Sequence, residues 1–95
     1  MKELSKTQKQ IIETCENFKQ FLIEKNKRYG DSALNPLNVF SKQDAESSIR
    51  IQIDDKLKRI KNSNELRKND VIDIMGYLFL LCVENKWTDF KDLLD

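Results

Sequence analysis

The run Asn69-Asp70-Val71-Ile72-Asp73-Ile74-Met75-Gly76-Tyr77-Leu78-Phe79-Leu80-Leu81 constrains this chain more than any other stretch. It is the most apolar segment of a heavily charged sequence, and two aspartates lie inside it. On a helix that advances about 100° per residue, Val71, Met75, Leu78, Phe79 and Cys82 share one broad side. Ile74, Leu80 and Leu81 carry apolar character to the flanks. Asp70, Asp73 and Tyr77 occupy a strip roughly 60° wide, with Glu84 below them on the same line. The spacing therefore predicts a helix that needs burial on nearly every side and carries a narrow acidic seam. A carboxylate buried without a partner is costly, so the seam is expected to face a cation, a basic side chain or a wet cleft.

Composition bounds what can surround this helix. A chain of 95 residues has room for one core, and a single domain over residues 1–95 is expected. Such a domain buries only about 60–65% of its unfolded surface, which favours burying more by oligomerisation. Lys and Arg number 17 against 16 for Asp and Glu, so no net field points to a long nucleic acid as partner. There is no histidine, which removes histidine acid–base chemistry. Without histidine, Cys15 and Cys82 cannot build a zinc site and read as reduced core thiols. Met1-Lys2-Glu3-Leu4-Ser5 lacks the apolar run of a secretory leader, and no stretch is long and apolar enough to span a bilayer. A cytoplasmic protein without a membrane partner is expected.

Taken in order, Thr7 to Lys27 predicts a first helix, with Ile11, Ile12, Cys15, Phe18, Phe21, Leu22 and Lys25 at three–four spacing. Arg28 to Ser41 then reads as a long connection holding Gly30 and Pro36. Leu34, Leu37, Val39 and Phe40 give it the apolar character of an ordered lid or cleft wall. Ser41 is a plausible N-cap for a second helix, with Asp44 three residues on. Ile49, Ile53, Leu57 and Ile60 form its stripe, and Lys56 projects at the edge of that stripe. Its ammonium either snorkels out or reaches an acidic partner or an anionic ligand. Lys61-Asn62-Ser63-Asn64 predicts a turn, and Ser63 or Asn64 can cap a third helix running from Glu65 to about Lys86. Trp87 to Leu94, with Thr88 as cap, reads as a short terminal helix. No strand is indicated. The fold class is all-α: three main helices and a short fourth, completing a bundle by oligomerisation.

The short turn makes the second and third helices antiparallel neighbours. Asp54 and Asp55 from one helix and Asp70 and Asp73 from the next can then converge. Carboxylates gathered in this way call for a divalent cation, and an all-oxygen acidic set suits Mg²⁺ or Mn²⁺. Arg28, Arg50, Lys56 and Arg59 are cations able to meet phosphate oxygens. Plain salt bridging accounts for the same residues: Asp54 to Arg50, Asp55 to Arg59, and Asp70 and Asp73 to Lys56 or Arg67. Any chemistry at such a site would be metal-assisted attack by water.

Three blocks carry a resemblance across about residues 20–85. They are Lys25-Asn26-Lys27-Arg28-Tyr29-Gly30-Asp31-Ser32 continuing to Asn38-Val39-Phe40-Ser41, then Arg50-Ile51-Gln52-Ile53-Asp54-Asp55-Lys56-Leu57-Lys58-Arg59-Ile60, then Asp70-Val71-Ile72-Asp73-Ile74-Met75-Gly76-Tyr77-Leu78. In this order they resemble the nucleotide modification associated domain of small phage and prophage proteins. Through that domain they resemble the all-α, MazG-like nucleoside triphosphate pyrophosphohydrolases. The resemblance implies a helical fold that binds a nucleotide through Mg²⁺, pairs helices across subunits, and cleaves between the α and β phosphates. Such enzymes hold metal with E-x-x-E on one helix and E-x-x-D on the next. Asp70 and Asp73 match the second pair. Asp54, with Asp55 beside it, stands where one acid of the first pair would be, and no carboxylate lies one turn earlier. Arg28 replaces the aspartate of the usual K-N-x-D-Y-G.

These readings imply Asp54, Asp70 and Asp73 as catalytic metal ligands with Asp55 as accessory. Arg28, Arg50, Lys56 and Arg59 would meet phosphate, and Tyr29 or Tyr77 base or sugar. Two other functions fit the sequence. The first is a non-catalytic sponge that sequesters a nucleotide immune signal in anti-defence, favoured by the missing first acid pair. The second is a protein–protein inhibitor of a host defence factor, with the acidic faces as its interface.

Overall fold

The computed structural model describes residues 3–30 and 44–94. They form three α-helices, α1 (Lys6–Tyr29), α2 (Ala45–Asn62) and α3 (Lys68–Glu84), and a single 3-10 turn at Lys91–Leu93. No strand occurs among the described residues, as expected for an all-α chain. No helix among them is long and apolar enough to cross a membrane. The chain divides into two compact units, Met1–Gly30 and Asp31–Asp95.

The first unit is one long helix. Ser5 caps α1: its hydroxyl accepts the Gln8 amide at 3.1 Å while the Gln8 side chain accepts the Ser5 amide at 2.8 Å. This reciprocal capping box satisfies two of the amide donors that a helix start leaves over. The helix runs past the expected end at Lys27 and takes in Arg28 and Tyr29. It stops at Gly30, whose φ of 64° suits glycine best. Asn26 secures that end by donating to the Gly30 carbonyl at 3.2 Å. Phe18 is buried, with its ring 6.4 Å from that of Phe21. Lys25 places its ammonium 5.4 Å from the Phe21 ring centre.

The second unit is built on an α2–α3 hairpin. Asp44, rather than Ser41, caps α2, accepting the Ser47 amide at 2.7 Å. An aspartate is as good a cap as a serine, and the helix-facing pattern begins at Ala45 directly after it. Ala45 and Ile49 are buried, and Ile53, Lys56 and Ile60 are half-buried. These five lie within roughly 80° of one another around the helix. Leu57, expected in the same stripe, is exposed, and Lys56 takes the place nearest α3.

The connection between the helices is longer than the sequence suggested. Ser63 does not cap α3. Its hydroxyl donates to the Glu65 carbonyl at 2.6 Å and accepts the Glu65 amide at 3.2 Å, closing a local turn. The helix therefore starts three residues later than expected, at Lys68, with Arg67 in the cap position. It ends at Glu84. Lys86 takes a left-handed φ of 61°, the Lys86 amide reaches the Val83 carbonyl and the Trp87 amide reaches the Cys82 carbonyl. That pair of bonds is the Schellman ending that usually places glycine where Lys86 stands. Asn85 donates to the Leu81 carbonyl at 2.9 Å and to Glu46 of α2 at 3.4 Å, pinning the open end of the hairpin. The expected terminal helix is reduced to the turn at Lys91–Leu93, and Trp87, Phe90, Leu93 and Leu94 are exposed.

Candidate functional site

The acidic seam of α3 faces α2. Lys56 crosses from α2 and sets its ammonium 3.2 Å from Asp73 Oδ2, both side chains being largely covered at 15% and 27% exposure. This resolves the two directions open to Lys56: it reaches an acid rather than snorkelling. Asp70, one turn earlier on α3, is the most deeply covered charged residue described, at 2% exposure. Its Oδ2 has no hydrogen-bond partner. The nearest cation is Arg67 Nε at 3.6 Å, beyond hydrogen-bond reach. A buried acceptor left in that state costs roughly 1–3 kcal/mol, so the site carries a standing demand for a donor or a cation. Tyr77 is half-buried on the same strip of α3.

The other residues singled out from the sequence lie apart from this spot. Arg50, Asp54, Asp55 and Arg59 are exposed on α2. Asp54 stands about 160° around the helix from Lys56, away from α3. Neither Arg50–Asp54 nor Asp55–Arg59 forms an ion pair among the described residues, whereas Lys56–Asp73 and Arg67–Asp70 do. Arg28 belongs to the first unit, where it pairs with Glu24 at 3.2 Å. Tyr29 is exposed at the end of that helix. The expected lid falls mostly on residues 31–43, outside the described residues.

The structure thus pairs Lys56 with Asp73 and Arg67 with Asp70, the two acids lying one turn apart on α3, and leaves Asp54 and Asp55 exposed outside these pairs. Among the described residues no three His, Cys, Asp or Glu side chains gather into a group that could hold a metal ion. The acids that do face inward number two. Mg²⁺ commonly takes one or two carboxylates and completes its shell with phosphate oxygens and water. Asp70 and Asp73 fit that mode, because Asp70 Oδ2 is a buried acceptor with no hydrogen bond. They do not form an all-protein cage.

The start of α3 was hidden in the sequence. Ser63 and Asn64 are stronger caps than Arg67, and only the local turn made by Ser63 moves the helix start to Lys68. That shift puts Arg67 directly before the helix that bears both acids. No protein-family model, curated protein or solved structure matches the chain.

Proposed function

We propose that this chain is a small nucleotide-binding protein of the MazG-like kind, with its site on the inward face of the α2–α3 hairpin. The observation that carries the reading is Asp70: a buried carboxylate with an oxygen that takes no hydrogen bond, one turn from a second acid already held by Lys56. Asp70 and Asp73 would hold Mg²⁺, or Mn²⁺, together with the phosphates of the ligand. Bound there, the metal would screen phosphate charge and lower the pKa of a coordinated water. Lys56 is placed to exchange its bond with Asp73 for a phosphate oxygen, and Tyr77 to contact sugar or base.

Two outcomes of binding separate on the acid count. A pyrophosphohydrolase of this kind draws on further carboxylates from the preceding helix, and Asp54 or Asp55 would have to supply them. The inward face holds two acids among the described residues, which favours holding a nucleotide over cutting it. A phage-type protein that sequesters a nucleotide signal is the non-catalytic form of the same proposal. Leu78, Phe79 and Val83, exposed on α3, favour assembly of the chain into a homo-oligomer.

Incubation of the full chain with a nucleotide panel and Mg²⁺ or Mn²⁺, followed by chromatography, tests the reading. Recovery of a bound nucleotide intact after heat denaturation supports sequestration. Release of pyrophosphate, abolished in Asp70→Ala, supports hydrolysis. Absence of both binding and turnover would overturn the proposal.

A further inference from the structure

We propose that Lys56 and Arg67 are built-in competitors for the cation that the acids of α3 would receive. Each holds one acid in the ligand-free chain, and a divalent cation has to displace them in order to bind. The inference rests on the nucleotide-binding reading only for what draws Lys56 away. The competition itself stands on the two ion pairs.

Asp70 is not satisfied where it stands. Its side chain is 3% exposed and its Oδ2 takes no hydrogen bond. A covered carboxylate oxygen in that state calls for a donor or a cation. Arg67 answers only in part. Its Nε lies 3.6 Å from Asp70 Oδ2, and its side chain is 61% exposed, so water and salt screen the pair. A cation seated directly on Oδ2 would therefore displace a weak holder.

Asp73 is held more firmly. Lys56 Nζ lies 3.2 Å from its Oδ2, and the two side chains are only 15% and 27% exposed. Little water screens that pair, so a second cation on Asp73 would meet the ammonium at close range. Nor can the ammonium withdraw without cost. Ile49, Ile53 and Ile60 share the inward stripe of α2 with it, buried or half-buried, and offer no acceptor. Lys56 gives up Asp73 most readily to another anion.

The loose pair and the tight pair sit one turn apart on α3. A divalent cation arriving alone gains the vacant valence of Asp70 but is opposed by Lys56 at Asp73. A cation arriving with an anionic ligand is not, because the ligand takes over the ammonium. Metal and ligand then raise each other's affinity by the same factor. Lys56 is the residue that sets this coupling.

Titration of the full chain with Mn²⁺ alone tests the inference, with affinity read by calorimetry and location by paramagnetic broadening of amide signals. Lys56→Met keeps the stem and removes the charge. It should bind Mn²⁺ about tenfold more tightly, since one charge within a few ångströms shifts such equilibria by at least that much. Broadening should centre on Asp70 and Asp73. Arg67→Ala should tighten binding by less, because its guanidinium is screened. Lys58→Met removes the same charge from the exposed side of α2 and should change nothing. Equal affinity in the original and Lys56→Met chains, or broadening centred elsewhere, would overturn the inference. If Lys56→Met does not fold, Arg67→Ala decides, and no gain in Mn²⁺ affinity there overturns it. Tighter Mn²⁺ binding in the variants with no nucleotide bound by any chain would sink the nucleotide reading alone. Nucleotide binding with a Mn²⁺ affinity indifferent to Lys56 would sink this inference alone.

Discussion

Lys86 occupies a conformation that its side chain disfavours. Its left-handed φ of 61° lets the two bonds that close α3 form. Glycine takes that conformation without a Cβ penalty, at some cost in unfolded-state entropy. Lys86→Gly should therefore stabilise the second unit by up to about 1 kcal/mol, read from urea unfolding. Asp44 makes the opposite kind of contribution. The Ser47 amide donates to its carboxylate and holds its pKa below the ordinary aspartate range. Because the folded-state pKa is the lowered one, this stabilisation is present above the unfolded value and is lost as pH falls through the folded one. Protection of the Ser47 amide from exchange, taken relative to the intrinsic rate at each pH, should fall as pH drops below about 4 in the original chain. Asp44→Asn, which keeps a capping oxygen without the charge, should remove that pH dependence. The sequence marks Asp44 as a helix-start residue but leaves it three places too deep, since Ser41 is an equally good cap by type.

At the scale of elements, the hairpin depends on a few residues of α2 meeting the polar strip of α3. Ile49 is 1% exposed, and Ile49→Ala should cost about 2–5 kcal/mol of the hairpin's stability. Lys56–Asp73 is the cross-helix ion pair among the described residues. A double-mutant cycle with Lys56→Met and Asp73→Asn should give a coupling of about 1–3 kcal/mol, because both groups are largely withdrawn from water. A coupling near zero would mean that the pair does not organise the site. Helical periodicity made most of this visible in advance. It put Asp70, Asp73 and Tyr77 on one strip and Lys56 beside an apolar stripe. It could not place the helix starts, which depended on whether Ser63 spent its hydroxyl on a turn or on a cap. Nor could it show that Asp54 turns away from α3, because the rotation of α2 about its axis is set by which side chains are buried. Ala45 and Lys56 fill the face where Leu57 was expected.

For the whole molecule, apolar side chains left in water set the expectation. Ile11, Ile12, Phe21 and Ile23 of the first unit are exposed, as are Leu78, Phe79, Val83, Trp87 and Phe90 of the second. If these faces assemble, sedimentation should show a mass above that of one chain, and Leu78→Asp with Val83→Asp should return it to a monomer. A monomer at all concentrations would remove the oligomer from the proposal. The all-α class was legible throughout, since no stretch alternates with the period of a strand. The lid was legible only as composition; its first residues, Arg28 and Tyr29, belong to α1, and from residue 31 on it lies outside the described residues.

The central claim is that the acid pair of α3 receives a nucleotide. Thermal unfolding of the full chain against a nucleotide panel, with and without Mg²⁺, tests it most directly. A ligand present at a hundred times its Kd stabilises the folded state by about 2.7 kcal/mol, which for a domain of this size is on the order of 10 °C in Tm. The account predicts such a shift for at least one nucleotide, larger with Mg²⁺ than without, and absent in Asp70→Asn and Asp73→Asn. No shift from any nucleotide in either condition would contradict it.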